Sequence, residues 1–288
     1  METSQGLTIS GVSYQRFSPP ERLRDVVDHV WLVESAPLPR LRQEILIPNG
    51  RPGLAVALGE PGTRHDPVTQ VEWPNAASVF GVMTRPQVLG QVGTSSYAGV
   101  EFTPWGLASF GLTALVDEVQ PLGDWVGADA VAGLVTELRA VPFGAERAER
   151  LAGFLAVRLT TTVAPPVVVE AVRAIDELRG QVAVAEVVRR CGTSYSTLYR
   201  LFRRSVGIGP KQYAEIIRYY HFVGGLLGGP ADAAATLSAL HGYYDQAHAA
   251  RDFKRYTGVS ATTFLAVQNG IAALMHGRSV QDDSTHGG

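Results

Sequence analysis

The stretch GTSYSTLYRLFRRSVG at residues 192–207 decides how the C-terminal part of the chain folds. Ser194 is suited to cap a helix, because its hydroxyl can accept a hydrogen bond from a free amide of the first turn. Leu198, Leu201 and Phe202 then recur at i, i+3 and i+4, which predicts the buried face of an amphipathic helix. The final glycine supplies a helix stop. The opposite face of this helix is polar, aromatic and basic.

A second version of this stretch, GYYDQAHAARDFKRYTG, occupies residues 242–258. Its N-cap, arginine, aromatic residue, basic pair and final glycine follow those of the first copy at one constant interval. A repeat that keeps its register predicts a duplicated structural unit. The matching pairs include Ser194 with Asp245, Arg200 with Arg251, Phe202 with Phe253, and Gly207 with Gly258.

Each copy also follows a shorter helical pattern that ends at a glycine. Before Gly192 the pattern consists of Val184, Val187, Val188 and Cys191, and before Gly242 it consists of Leu237 and Leu240. A helix, a glycine turn and a capped helix with a basic face are typical of a helix-turn-helix, whose second helix enters the major groove of DNA. The sequence therefore predicts two such units.

Residues from about 166 to 265 resemble the DNA-binding domain of AraC/XylS-type transcriptional regulators, in which a long helix joins two helix-turn-helix units. The resemblance implies a regulator or activator of transcription that binds double-stranded promoter or operator DNA. It also implies a homodimer, contact with RNA polymerase, and an N-terminal half that senses a small-molecule effector. The matching residues are Gly192, Ser194, Leu198, Arg200, Phe202, Gly207, Pro210 and Tyr213, then residues 242–248, Arg251, Phe253, Lys254, Gly258, Val259 and Phe264.

Three features depart from the pattern of that family. Ser260-Ala261 replaces the usual Ser-Pro, and Ser238 and Asp252 stand where small or apolar residues are common. The region of the linking helix ends in Gly224-Gly225 and Gly228-Gly229. Because glycine costs about 1 kcal/mol relative to alanine inside a helix, we expect this linking helix to be shorter or looser than in the family.

The outward faces of the two capped helices are the predicted DNA contacts. Arginine pairs with guanine and glutamine with adenine in the major groove, so we expect bases to be read by Tyr195, Ser196, Tyr199, Arg200, Gln246 and Arg251. Basic side chains farther along the helices are expected to hold phosphates: Arg203, Arg204, Lys254 and Arg255. The two helices would enter major-groove segments about 34 Å apart. The first copy carries the richer reading face, so it is expected to supply most of the discrimination.

Composition and charge agree with this division of the chain. The formal net charge is −2, but residues 165–270 hold 12 Lys and Arg against 8 Asp and Glu, and the remainder holds 13 against 19. A basic part attached to an acidic part is typical of a DNA-binding domain with a regulatory domain. A single cysteine, the absence of a secretory signal and the absence of a long apolar run predict a cytoplasmic protein without membrane association.

The N-terminal part is predicted to be rich in β-strands. Short β-type segments separated by turn signals such as Pro48-Asn49-Gly50 favour an antiparallel sheet or a small barrel: residues 44–47, 54–58, 77–83, 87–92 and 98–102. Ser18-Pro19-Pro20 is expected to cap a helix that runs through Trp31. Further helical patterns follow at residues 108–112, 130–138 and 145–159. The predicted fold class is α+β, with an all-α C-terminal domain.

Four segments follow from these patterns. Residues 1–160 form a regulatory, effector-sensing and dimerisation domain, and residues 161–166 form a linker in which consecutive prolines prevent a helix from continuing. Residues 167–270 form the DNA-binding domain. The polar composition of residues 276–288 predicts a disordered tail.

The N-terminal part shows no pattern that predicts a cofactor, a metal site or an enzyme. His29 and His65 lack grouped carboxylates at ligand spacing, and no nucleophile–base pair is visible. Two other functions remain open. One is a small-molecule-binding protein or enzyme with an accessory helical domain, and the other is an architectural or protein-interaction module without DNA affinity.

Four side chains are candidates for an effector pocket: Trp31, Arg51, Phe102 and Trp105. Aromatic walls with a few polar groups are typical of small-molecule sites. The alternative is that Trp31 and Phe102 belong to the core and that Arg51 is a turn or surface residue.

Overall fold

The computed structural model of the chain describes residues 3–9, 11–112, 114–160, 164–228, 246–261 and 263–264. Several predicted features lie outside these ranges: residues 161–163 of the linker, the first helix of the second helix-turn-helix unit with Leu237 and Leu240, the cap Asp245 of its second helix, and the tail at residues 276–288. Within the described ranges, no helix is both long enough and apolar enough to cross a bilayer.

The N-terminal part consists of two antiparallel sheets. Its strands are β1 Thr3–Ile9, β2 Val12–Phe17, β3 Val27–Ser35, β4 Leu38–Leu46, β5 Gly53–Ala57, β6 Gly62–His65, β7 Glu72–Asn75, β8 Ser78–Phe80, β9 Gln87–Gly93, β10 Ser96–Phe102 and β11 Val119–Pro121. One sheet has the order β1-β2-β3-β10-β5-β8-β11 and the other has the order β4-β9-β6-β7. Successive side chains of a strand point to opposite faces, so the larger sheet presents one face to the smaller sheet and the other to a layer of helices.

That helical layer contains α1 Leu122–Val126, α2 Ala128–Arg139 and α3 Ala145–Ala156. Leu134, Leu151 and Leu155 pack with Leu32 and Phe102 of the sheet into one core. The helical patterns predicted at residues 130–138 and 145–159 lie in α2 and α3. Because the apolar face of α3 is buried within its own domain, its exposed face is mainly charged.

The helix predicted to run through Trp31 is wrong. A 3₁₀ turn at Glu21–Leu23 is followed directly by strand β3. The residues from Val30 to Val33 are all buried, since this strand is covered on both faces. A strand buried on both sides loses the alternation that distinguishes it from a helix. The α+β fold class itself is confirmed.

The C-terminal part is helical over the residues that the structure describes. It contains α4 Pro166–Glu177, α5 Val184–Arg190, α6 Tyr195–Val206, α7 Pro210–Gly228 and α8 Gln246–Thr257. Helix α7 continues through Gly224-Gly225, so the first glycine pair does not end the linking helix. The buried Phe222, Val223 and Leu226 offset the cost of these glycines through tertiary packing.

The two parts share one hydrophobic core. Ile45, Ile47 and Val82 of the N-terminal part belong to the same buried cluster as the helices α4 to α8. At the β4–β5 turn the chain approaches α7 closely, because a Cβ at Gly50 would lie 2.6 Å from the Tyr213 ring. The positive φ of this glycine, 75°, also suits the turn that its sequence predicts.

Candidate functional site

Helix α6 has the caps and the buried face that the sequence predicts. The Ser194 side chain accepts a hydrogen bond from the amide of Thr197 at 3.2 Å, and Gly207 ends the helix in the left-handed conformation. Leu198 and Phe202 are fully buried. These contacts fix the orientation of α6, so the positions of its outward side chains follow from its own sequence.

The outward face of α6 presents two tyrosines to solvent. Tyr195 is 53% exposed and Tyr199 is 43% exposed, and their rings stack with centroids 6.1 Å apart. Ser196 and Arg200 are exposed beside them. The structure therefore brings together the four side chains of the first copy that were predicted to read bases.

The arginines of α6 are not neutralised by any carboxylate in the part of the chain that the structure describes. Arg200, Arg203 and Arg204 are exposed, and no carboxylate pairs with them among the described residues. In contrast, Arg189 and Arg190 of the preceding helix both pair with Glu186. Uncompensated cations produce a positive potential that attracts a polyanion, so α6 rather than α5 is the basic surface of this unit.

The exposed face of helix α8 has smaller side chains than that of α6. Ala247, Ala250, Arg251 and Lys254 are exposed, and Ala249, Phe253 and Tyr256 are buried. Arg255 is exposed and stacks over the Tyr256 ring at 5.1 Å. Gln246 begins the helix, but its side chain lies outside the described part of the structure. In the described residues, α8 therefore offers cations with small residues between them.

Two of the departures from the family pattern have structural explanations. Asp252 pairs with Arg218 of α7 at 3.6 Å, so it helps to hold α8 against the linking helix. Ser260 accepts a hydrogen bond from the amide of Thr263 at 3.2 Å, which caps the next turn without the usual proline.

The second candidate site is a cavity of about 110 Å³ between the two sheets. Tyr14, Trp31, Phe80 and Tyr97 form much of its wall. The Trp31 indole lies flat over β10 because residue 99 is glycine: a Cβ there would lie 2.0 Å from Cζ2 of the indole. Concave, aromatic sites with a few polar groups are typical of small-molecule sites.

The four predicted effector residues do not all line one site in the structure. Trp31 and Arg51 line the cavity. Phe102 is fully buried on the opposite side of the sheet, against Phe110 at a centroid distance of 5.4 Å, so it does not line the cavity. Trp105 lines a second cleft of about 700 Å³, which Arg51 also borders, and it donates through Nε1 to the carbonyl of Asp25.

Arg51 joins the two parts of the chain through a triangle of hydrogen bonds. Its guanidinium donates to Asp176 of α4 at 2.9 Å and to the Tyr213 hydroxyl of α7 at 3.2 Å, and that hydroxyl donates to Asp176 at 2.8 Å. Burial raises the pKa of Asp176, and the charge of Arg51 offsets part of this rise. The sequence interpretation of Arg51 as a turn residue misses this role, because its partners lie far away along the chain.

A cluster of Asp28, His29 and Glu101 borders the cavity near Arg51. The cluster has ligand atoms within 4.8 Å of one another, so the expectation that the histidine lacks grouped carboxylates is wrong. A β-bulge in β3 brings the adjacent side chains Asp28 and His29 together, and His29 Nδ1 lies 2.8 Å from Asp28. Arg16 also contacts Asp28, which makes this an ion-pair cluster.

The pKa of Asp28 reflects that cluster. Burial alone would raise the pKa, but the hydrogen bond from His29 and the charge of Arg51 outweigh it and hold the pKa below its usual range. The carboxylate of Asp28 is therefore charged in the folded protein at neutral pH. A charged carboxylate only accepts hydrogen bonds, so His29 Nδ1–H is the donor of this one.

Arg64 of β6 is the buried cation of the cavity. Only 5% of Arg64 is exposed, its Nη1 donates to Gln87 at 3.2 Å, and its guanidinium lies 4.5 Å from the centroid of the Phe80 ring. Burial lowers the pKa of Arg64 to about 10. A single arginine in a short strand has no local pattern that indicates burial, so the sequence does not predict the position of Arg64.

The linking helix also borders the cavity. Tyr220 of α7 is among the lining residues, together with residues of both sheets. The helix that joins α6 to α8 is thus part of the cavity wall.

Comparisons with known proteins agree with the C-terminal site. Residues 174–266 match a helix-turn-helix domain family, and residues 15–117 match a domain family of unknown function (DUF6597). No curated protein gives a significant match.

Several solved structures are similar in fold at low identity. ToxT from Vibrio cholerae O395 is 11% identical with a TM-score of 0.49, over 82% of this chain and 97% of that chain. A ToxT structure bound to an unsaturated fatty acid is 11% identical with a TM-score of 0.45, over 84% and 94%. The AraC-like transcriptional activator CuxR is 13% identical with a TM-score of 0.28, over 80% and 84%. At these TM-scores the similarity assigns neither a ligand nor residue roles to this chain.

The domain match confirms the resemblance for the C-terminal part. Residues 174–266 are an AraC-type helix-turn-helix domain, and the chain thus carries the DNA-binding domain of a transcription regulator.

Proposed function

We propose that the chain is a sequence-specific transcription regulator that reads DNA with α6 and α8 and responds to a small molecule in the cavity of its N-terminal sheets. The observation that carries the proposal is the outward face of α6, where exposed tyrosines stand beside arginines that no carboxylate neutralises within the described ranges. No internal ion pair has to be broken before these arginines contact phosphates, and the side chains of this face offer donors to base edges.

The roles of individual residues follow from their positions on the helices. Tyr195, Ser196, Tyr199 and Arg200 contact bases from α6, and Gln246 and Arg251 do so from α8. The basic side chains Arg203, Arg204, Lys254 and Arg255 hold phosphates. Because α8 has alanines at two outward positions, α6 supplies more of the sequence discrimination.

Control by an effector is supported by the continuity between the cavity and the DNA-binding helices. Tyr220 of α7 borders the cavity, and Arg51, which also borders it, bonds to Asp176 and Tyr213. A ligand that binds with different affinity to two arrangements of these side chains shifts the population of the DNA-binding arrangement.

The proposal includes a cytoplasmic homodimer that activates transcription through RNA polymerase. The apolar face of α3 is buried within its own domain, so a dimer contact at residues 145–159 would use the charged outer face of this helix. Light scattering of the full-length protein measures the oligomeric state, and transcription in vitro from its own promoter with purified polymerase distinguishes activation from repression.

The DNA-binding proposal is tested with the full-length protein and a fragment of its own upstream promoter. Binding is measured by fluorescence anisotropy at physiological salt with competitor DNA. Arg200→Ala should weaken binding by about 1–3 kcal/mol and relax the preference at one base position. Arg203→Ala should weaken binding to all sequences and reduce the slope of log K against log salt by about 1.

Arg189→Ala is the matched control, because this arginine is paired with Glu186 on α5. Its affinity should stay close to that of the wild type. If Arg200→Ala and Arg189→Ala have the same affinity and base preference as the wild type, the assignment of α6 as the base-reading helix is wrong. An enzyme or an interaction module would show no preference for the promoter fragment at all.

A further inference from the structure

Among the described residues that line the cavity between the sheets, one cation, Arg64, has no counter-ion. Arginine has five N–H donors. Arg64 uses one of them, on Nη1, to donate a hydrogen bond to the Gln87 side chain. Within the described ranges no carboxylate pairs with Arg64. It also lies over the face of the Phe80 ring and interacts with Tyr97. A buried charge without a partner is costly, so this position calls for an explanation beyond packing.

The other charges that line the cavity are compensated by the protein. Arg42 pairs with Glu44 at 3.0 Å, and Arg51 pairs with Asp176 at 2.9 Å. Glu101 accepts a hydrogen bond from Asn49 at 2.8 Å and lies 4.0 Å from Arg51. Of the three arginines that line the cavity, Arg64 is therefore the one without an acidic partner among the residues that the structure describes.

We propose that Arg64 anchors the carboxylate of the effector and that the ligand class is an organic monocarboxylate with a compact apolar body. The free N–H groups of Arg64 bind the carboxylate in its preferred two-bond geometry. The apolar body lies along Trp31, Tyr14 and Phe80, which form the aromatic wall beside it. This proposal rests on the proposed function in one respect, namely that the cavity is the effector site.

The test measures binding to the full-length protein without DNA, by isothermal titration calorimetry and ligand-observed NMR. The probes are matched pairs that differ only in charge: 3-phenylpropionate with 3-phenylpropionamide, and hexanoate with hexanamide. At least one carboxylate should bind at least tenfold more tightly than its amide, since one charge-assisted hydrogen bond accounts for a tenfold difference. If no carboxylate binds more tightly than its amide, the proposal is overturned.

Two variants assign that preference to a residue. Arg64→Met should remove it, whereas Arg42→Met, which changes an arginine of the same cavity that already pairs with Glu44, should preserve it within about threefold. The opposite result would overturn the assignment to Arg64. A misfolded Arg64→Met protein would also lose the preference, so a second variant is needed. Arg64→Lys keeps the charge and should retain part of the preference.

Failure of this proposal is distinguishable from failure of the proposed function. If the protein binds its promoter fragment but does not prefer carboxylates, the ligand class is wrong and the regulator stands. If the cavity prefers carboxylates through Arg64 but the protein binds no DNA, the ligand class stands and the regulator is wrong.

Discussion

The hydrogen-bond triangle between Arg51, Asp176 and Tyr213 is expected to couple the N-terminal sheets to the DNA-binding helices. Asp176→Asn is the informative change, because it keeps the shape of the side chain and still lets the Tyr213 hydroxyl donate to an oxygen. It converts the 2.9 Å bond from Arg51 from a charge-assisted bond into a neutral one. Such bonds contribute about 1.5–3 kcal/mol and about 0.5–1.5 kcal/mol, respectively.

The magnitude follows from the exposure of the two side chains. Arg51 is 21% exposed and Asp176 is 28% exposed, so solvent screens the pair in part. We therefore expect Asp176→Asn to lower the free energy of unfolding by about 1 kcal/mol. In a double-mutant cycle with Arg51→Met, we expect a coupling free energy of about 1 kcal/mol.

The assay is urea-induced unfolding of the full-length protein, followed by circular dichroism and tryptophan fluorescence. Arg173→Met is the control on the same helix, because its partner Glu170 is exposed, and it should change the free energy by less than about 0.5 kcal/mol. If the effects of Asp176→Asn and Arg51→Met add within about 0.5 kcal/mol, the triangle does not act as a unit and the reasoning is refuted.

Four further changes test other parts of the structure. Ser194→Ala removes the cap of α6 and should cost about 1 kcal/mol in thermal unfolding, whereas an unchanged stability would contradict the capping bond. Gly99→Val should force the Trp31 indole into the cavity, cost about 1–3 kcal/mol and abolish ligand binding in calorimetry. Tyr256→Phe removes a buried hydroxyl that has no hydrogen-bond partner in the described part of the structure, so it should not destabilise the fold. Burial raises the pKa of Tyr256 to about 12, so the wild type should lose stability as the pH rises from about 10 towards 12, and the variant should lose less. The pKa of Asp28 is lowered, so its stabilising contribution is present above pH of about 4 and is lost in more acidic solution; Asp28→Asn should flatten this dependence in urea titrations at several pH values.

The caps and the buried face of α6 could be predicted from the sequence because their determinants are local. Ser194, Leu198 and Phe202 lie within nine residues of one another, and together they fix which face of α6 is buried. The exposed face then follows from the helical period of 3.6 residues. The repeat of the same pattern around α8 supplied a second, independent indication.

The strand β3 shows where the same reasoning fails. Its apolar residues from Val30 to Val33 are all buried, because one face meets the helical layer and the other meets the smaller sheet. Spacing within such a run is compatible with either period. The tertiary environment of β3, which the local sequence does not contain, decides between helix and strand.

The cavity could not be predicted for a related reason. Arg51 and Asp176 are 125 residues apart, and Arg64 meets Gln87 and Phe80 only after β6 pairs with β9 in one sheet and Phe80 takes its place in the other. Single charged residues between turn signals resemble surface residues in a sequence. Their burial depends on sheet pairings that no short-range pattern specifies.

Helix α7 borders the cavity through Tyr220 and follows α6 in the chain, and it also packs against α8. Its 19 residues span about 28 Å, whereas one turn of B-DNA spans about 34 Å. A shift along the axis of B-DNA also changes the angular position around it, because each base pair advances by about 3.4 Å and rotates by about 35°. If α6 and α8 read DNA as proposed, a small displacement of α7 by a ligand is equivalent to a change in the phase between two half-sites. Promoters that differ by one base pair in their spacer should then differ in how strongly the same ligand changes their binding, which anisotropy titrations with and without ligand measure.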